Sequence, residues 1–433
     1  MKKISLTLIG LYLLFLQGYS QVTEHYTNIF QAKPLKLEEI NLVTSYYSQN
    51  GTHSAVTGGG SGYIGTQYMD GSEKLTDFAN MLELKLVGYG ETGLKHTILA
   101  GLGVDHHTAA SQKWISKTGA SSPDGNRVYP SINWTVENEE KGTEFGLGTY
   151  YSHEYNYSSI ALDGHYGFKN KIGGEFSAKV SAYFDQVKLI YPSELIPAVA
   201  SNGITPYDVN IITTNASRGS GGTIYDLGGS EKASIPTSPR NTFTSSFTYS
   251  QVINKSVQTS LLFDIVKQDG WLGLPFHRVV FKDGSEKIEN LPHSRLKIPL
   301  GARLNYFIGD NLIVRTYYRF YTDDWGLVSH TASIELPYKF TPFFSISPFY
   351  RFYTQTATKY FAKRGEHNVS DTYFTSNYSS SAFNSNYFGL GMRTAPPGGI
   401  KDTYMSALEI RYGHYSQSTD LNSNVISLHF TFK

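Results

Sequence analysis

The sequence predicts an all-β protein, a transmembrane antiparallel up-and-down β-barrel of roughly sixteen strands. Three observations predict it. The chain opens on a secretory signal, it closes on a strand whose residues alternate apolar and polar, and between the two lie segments of strand length separated by turn formers. Outer-membrane barrels combine these features, because every backbone polar group in lipid must be satisfied internally and a closed sheet does so.

At the amino terminus, Lys2 and Lys3 form a positive region and an apolar run follows from Ile4 to Leu16. Gly18 and Ser20 then place small residues three and one before a cut ahead of Gln21. The run is short of the roughly 20 residues that a spanning helix needs, so residues 1–20 are expected to be removed after export. Residues 21–38 are too irregular for a strand and read as a periplasmic lead-in or a plug. Residues 39–433 then form the barrel.

At the other end, Ile426, Leu428, Phe430 and Phe432 share one strand face, with polar residues between them. A closing strand of this kind, ending near an aromatic residue, is expected to act as the insertion signal read by the outer-membrane assembly machinery.

Strand-length segments begin near Glu39, Met81, Leu94, Tyr129, Thr143, Tyr157, Gly173, Asn241, Ser256, Leu296, Asn311, Gly326, Pro342, Asn386, Tyr404 and Ser423. The same segments are compatible with roughly 14 or 18 strands. With the amino terminus in the periplasm, the short connections fall inside, at 91–93, 139–142, 169–172, 253–255, 309–310, 340–341 and 396–402. The long ones fall outside, at 49–80, 106–128, 188–240, 270–295 and 354–385. That sorting matches the short inner turns and long outer loops of such barrels. Three further outer links, at 154–156, 323–325 and 416–421, are short. Gly58-Gly59-Gly60 and Gly219 to Gly222 lack the strand, helix and lysine of a phosphate cradle and read as loop.

Composition excludes several functions. The chain has no cysteine, so disulfides, thiolate metal sites and a cysteine nucleophile are out. The net charge of +1 becomes −1 once Lys2 and Lys3 leave with the signal, which gives no electrostatic case for nucleic acid. No spacing singles out a Ser, His and acid set, so no enzyme is expected. The 33 tyrosines concentrate near segment ends, as two interfacial girdles require.

Two polar constellations stand out. Asp105, His106 and His107 lie at the outer end of one segment, His153 and Glu154 end another, and Asp323, Asp324 and His330 flank a third hairpin; imidazole with carboxylate suits a divalent ion, though adjacent His106 and His107 point to opposite strand faces. In 317–326 and its echo 350–355, Arg319 and Arg351 lie on the face opposite their flanking aromatics and so point into the lumen. There they line an anion pathway or brace the wall by pairing with Asp323, Asp324 or Glu335, bracing being the commoner outcome.

The Trp271 to Val279 stretch, Leu291-Pro292 with Arg295, Tyr318 to Gly326 with Ser329-His330-Thr331, and Tyr350 to Gln355 with Tyr360 carry a family resemblance. So do Thr118 to Ser122, Arg127 to Pro130 and Ser152 to Tyr157, although Asn156 stands where an acidic residue is expected. Across most of the mature chain the sequence resembles the uncharacterised Bacteroidota outer-membrane β-barrel family catalogued as domain-of-unknown-function family 3570. The resemblance implies a barrel and a compartment, and a setting beside thioredoxin-like and flavin-transferring proteins that suits a redox or metal pathway.

Two roles follow. One is a porin-like barrel that passes or binds a small solute or metal ion through a narrow or gated lumen. The other is a non-conducting scaffold or subunit of an outer-membrane complex, docking an outer-membrane or periplasmic protein through loops such as 191–225. The low charge content favours a narrow or blocked lumen.

Overall fold

The computed structural model describes residues 32–53, 72–109, 124–190 and 236–433. The signal, the 191–225 loop and both glycine runs lie outside the described residues. Nineteen strands follow one another: β1 (Lys33–Asn50), β2 (Leu75–Tyr89), β3 (Lys95–Ala109), β4 (Asp124–Asn138), β5 (Thr143–Glu154), β6 (Tyr157–Lys169), β7 (Gly174–Lys188), β8 (Thr237–Asn254), β9 (Val257–Gly270), β10 (Arg278–Val280), β11 (Glu286–Ile288), β12 (Ser294–Ile308), β13 (Leu312–Asp323), β14 (Val328–Glu335), β15 (Tyr338–Thr341), β16 (Phe344–Gln355), β17 (Phe383–Thr394), β18 (Met405–Gln417) and β19 (Asn422–Phe432).

All but β10 and β11 form one antiparallel sheet, and β1 pairs with both β2 and β19, so the sheet closes on itself. β14 and β15 both lie between β13 and β16 and form one wall strand interrupted at Leu336-Pro337, where proline removes a ladder donor. The wall is thus a closed barrel of 16 strands. Seven connections, all short, gather at one end; the other end carries the long loops and three short links, 155–156, 324–327 and 418–421. Among the described residues no helix is long and apolar enough to cross a membrane.

The barrel is apolar on the outside. Along β12, Leu296, Leu300, Leu304 and Tyr306 are exposed, while the alternate residues Arg295, Lys297 and Arg303 turn inward. The same alternation exposes Leu82, Leu102, Ile132, Leu147, Leu162, Val180, Phe247 and Leu261. Where the outer face meets polar surface at the long-loop end, tyrosine hydroxyls find partners: Tyr318 with His330 at 2.7 Å, Tyr350 with Asn386 at 2.7 Å and Tyr412 with Asn424 at 2.8 Å. Amphipathic rings of this kind mark a lipid–water boundary.

The closing strand behaves as its pattern requires. Phe432 pairs with Ile40, Phe430 with Leu42 and Leu428 with Thr44, which continues the apolar outer face across the seam. On the inner face, Asn41 Oδ1 accepts a hydrogen bond from Thr431 Oγ1 at 3.0 Å and lies 3.1 Å from His429 Nε2.

The wall extends beyond the predicted segments. β1 begins at Lys33 rather than near Glu39, because Lys33, Lys36 and Leu37 pair with Tyr89, Val87 and Leu86 across two register shifts. Residues 33–38 therefore belong to the barrel and not to a lead-in or plug. Strands β2, β4, β8 and β17 likewise start upstream of the expected Met81, Tyr129, Asn241 and Asn386. Their added residues stand at the long-loop end, where both faces meet water and the apolar alternation that betrays a strand disappears.

Candidate functional site: a capped mouth and an arginine-lined lumen

Apart from Ala161, Ile190 and Ala407, the buried apolar residues do not lie in the wall or at its edge. They lie in connections at the long-loop end: Val279, Val280, Phe281 and Leu291 in 271–293, Trp325 and Leu327 in 324–327, and Phe374 in 356–382. The hairpin of β10 and β11 packs against the second long loop through isolated bridges of Phe281 with His367 and Asn290 with Phe374. The Phe281 and Phe374 rings meet edge to face at 4.8 Å, and Val279 completes the cluster. Gly270 opens this excursion with φ 115°, a conformation that glycine tolerates.

The two loops are tied by polar groups that the packing buries. Glu289 is 3% exposed; it accepts the Leu274 N–H from its own loop and the Thr375 hydroxyl from the other. Burial disfavours its charged form and pushes its pKa up to about 7, against the pull of those two hydrogen bonds. His277 Nε2 accepts the Ser376 N–H at 3.2 Å, and His367 Nε2 donates to the Thr375 carbonyl at 3.0 Å. His277 and His367 are both buried.

The loops span the mouth. On one side Gly273, Leu274, Pro275 and Phe276 share a cavity of about 330 Å³ with Arg127, Glu154, Tyr157, Lys188 and Arg240, at the long-loop ends of β4 to β8. On the other side Tyr378 stacks on His53 at 3.8 Å, in the loop that follows β1. Lys359 N–H donates to the Trp325 carbonyl at 3.0 Å, and Trp325 Nε1 donates to the Ser294 carbonyl at 3.0 Å. Together these contacts make a folded cap over the lumen.

Beneath the cap, β12 to β18 carry the charged groups of one inner wall. Asp323 receives Arg295 Nε at 2.9 Å, the Tyr321 hydroxyl at 2.7 Å and the Trp325 and Leu327 N–H groups at 3.0 and 3.1 Å. Toward the short-turn end, Arg411 reaches Glu335 and Glu409 at 3.0 Å each, and Arg315 approaches Glu335 at 3.6 Å. Asp323 and Glu335 are thus ion-paired within the wall, but not with Arg319 or Arg351, the partners expected from the sequence. Their partners are Arg295, Arg315 and Arg411.

Arg319 and Arg351 do not brace. Among the described residues neither has a carboxylate within ion-pair distance; instead Arg319 lies 6.0 Å from the Tyr321 ring and Arg351 4.9 Å from the Tyr387 ring. Arg303, on the same inner face, sits 5.5 Å from the Tyr317 ring and also lacks a carboxylate partner. Asp324 is exposed at the rim, where its carbonyl accepts Lys359 Nζ at 2.9 Å.

The residues proposed for a metal are not brought together. Asp105 accepts the Tyr129 hydroxyl at 2.7 Å and faces Arg127, His106 Nδ1 lies 2.9 Å from Asn126 Oδ1, and His107 lies over Gly125 on the other face. His153 stacks on Tyr151, Glu154 lines the cavity with Arg127, and His330 meets Tyr318 on the outer face. Among the described residues no group of three or more His, Asp or Glu side chains is placed to hold an ion.

Sequence reasoning missed Glu289, Arg303 and Arg411. Arg303 had a signal: it falls in period two with Arg295 and Lys297, the inward register of β12. Glu289 had none, because it sits in an irregular loop and its environment depends on a second loop far along the chain.

Residues 104–424 match the model of the family described as "Protein of unknown function (DUF3570)". Among solved structures the chain is similar to Pseudomonas aeruginosa OccD3 (OpdP), at 9% identity and a TM-score of 0.42 over 95% of this chain and 96% of that one. It is also similar to Pseudomonas aeruginosa OccK7 (OpdD), at 10% identity and 0.38 over 91% and 98%, and to a mutant of the ferric enterobactin receptor (PfeA) from Pseudomonas aeruginosa, at 11% and 0.42 over 87% and 53%. Comparison with curated proteins gave no match. The family match spans well over half of the sequence, and the chain belongs to the DUF3570 family.

Proposed function

We propose that this protein is an outer-membrane barrel that passes small solutes through a water-accessible lumen gated at its external mouth, with residues 1–20 removed on export. One observation carries the reading. Long charged side chains that turn into the closed wall remain open to solvent: Arg393 is 55% exposed, Arg315 49% and Lys179 48%. A lumen filled by side chains would bury them, and a barrel of about sixteen strands has room for an aqueous channel. The narrowing expected from the low charge content thus belongs to the cap.

The apolar belt, the tyrosine boundary and the closing strand support residence in outer-membrane lipid after delivery by the assembly machinery. With its candidate ligands spread over different strands and faces, a divalent metal suits transit better than a fixed site.

The cap also favours a second reading. A loop pair with its own apolar core offers a shaped surface on which a protein partner docks, and the barrel would then be a non-conducting scaffold. Proteoliposomes carrying residues 21–433 and loaded with small sugars, carboxylates or phosphate separate the two. Solute release faster than from protein-free vesicles supports passage, and retention by a folded barrel supports the scaffold.

A further inference from the structure

We infer that Arg303, Arg319 and Arg351 form a track for oxyanions along one side of the lumen, so that the solutes passed are small carboxylate- or phosphate-bearing molecules. The inference rests on the passage reading above and names its substrate class.

The first support is charge bookkeeping around the wall. On β3, β4, β6 and β7, Asp105 faces Arg127, Glu137 meets Lys95 and Lys169, Asp163 meets Lys179 and Asp185 meets Arg240. On β12 to β18, Asp323, Glu335 and Glu409 are each taken by an arginine. Among the described residues, Arg303, Arg319 and Arg351 have no carboxylate within ion-pair distance, nor does the half-buried Lys297, while Asp264 on the adjacent β9 is an inward carboxylate without a basic partner; Arg303 and Arg351 are exposed to the lumen. An uncompensated guanidinium in a pore attracts anions and offers a planar fork for carboxylate or phosphate.

Register aligns the three. Arg319 pairs with Gly301 and Arg303 with Tyr317 between β12 and β13, while Arg319 pairs with Thr331 and Arg351 with Ser333 along the two edges of β14. At the level of Arg319 and Arg351, β14 therefore presents the small hydroxyls of Thr331 and Ser333 to the lumen. Each guanidinium lies against a tyrosine ring, which orders it without neutralising it. The track runs between the Asp323 brace below the cap and the Glu335 brace toward the short-turn end.

The opposite side carries the complementary charge. On β2 and β5, Asp77, Glu83 and Glu144 turn inward and have no basic partner within ion-pair distance among the described residues. In the circular strand order these lie across the barrel from β12 to β16. Anions are held to the arginine side, and a solute with a cationic end is oriented across the lumen.

The test uses the protein spanning residues 21–433 in planar bilayers under a potassium chloride gradient, with the variant R303Q/R319Q/R351Q beside it. Glutamine keeps most of the side-chain length and removes the charge, and heat-modifiable migration reports whether the variant folds. The expected result is a several-fold fall in the chloride-to-potassium permeability ratio, with benzoate and inorganic phosphate each blocking the wild type and neither blocking the variant. Conductance with an unchanged ratio, or with block retained in the variant, overturns the track and leaves passage standing. A folded wild type that never conducts overturns passage, and the track with it.

Discussion

Arg411 and Glu335 meet at 3.0 Å although β16 and β17 lie between their strands. A side-chain bond that skips two strands can form only on the concave face, so this pair fixes which side of β14 and β18 is the lumen. Glu335 is shared with Arg315, and Arg411 with Glu409.

That network predicts a division of labour among the arginines. Arg411→Ala strips Glu335 and Glu409 of their shorter contacts and is expected to cost about 1–3 kcal/mol of unfolding free energy. Arg319→Ala, which breaks no ion pair, should stay within about 0.5 kcal/mol of wild type. Urea unfolding in lipid vesicles measures both, and equal losses would mean that Arg319 braces after all.

The closing strand predicts a lipid-face penalty. Phe430 pairs with Leu42 and Leu408 on the outer face, so Phe430→Arg places a charge in lipid at a cost on the order of 2 kcal/mol, depending on depth. Ser427→Glu, three residues away on the inner face, should assemble normally. Heat-modifiable migration after folding into vesicles compares the two, and equal yields would contradict the assigned faces.

The cap has its own core, so it should loosen without the barrel. Phe281 is 1% exposed between Phe374 and Val279, and Phe281→Ala is expected to cost about 3–5 kcal/mol locally. Protease cleavage within 271–293 and 356–382 should accelerate while the barrel's heat resistance persists.

Glu289 gives the cap a pH dependence. Between about 4.5 and 7 the folded cap holds a proton on Glu289 that a solvated loop releases, so raising the pH through this window weakens the cap. The total effect is on the order of 3 kcal/mol. Below the window both forms are protonated and the contribution is flat; above it the full penalty remains. Hydrogen exchange of the loop amides, corrected for intrinsic rates, should show greater protection at low pH in wild type and a flat profile for Glu289→Gln.

The barrel was legible in the sequence because its cause is local. Period-two alternation, turn residues and loop lengths state which end and which face each strand takes, and the inward register of Arg319 and Arg351 follows from their neighbours alone. The extension of β1 to Lys33 was hidden because two register shifts interrupt the alternation. The partners were not legible for a different reason. Arg295 and Asp323 lie on neighbouring strands, but Arg411 and Glu335 meet only after the sheet curls, and Glu289 meets Thr375 only after two distant loops fold together. The proposed metal residues illustrate the same limit, since sharing one end of the barrel did not place His106, His153 and His330 within reach of one another.

Single-channel recording of two proteins tests most directly whether a folded cap stands above a water-accessible lumen. One spans residues 21–433; the other has residues 272–292 replaced by a short Gly-Ser link between β9 and β12. Small or intermittent conductance is expected from the first and larger, steady conductance from the second. A folded shortened barrel that stays silent would contradict that expectation and point to a closed lumen.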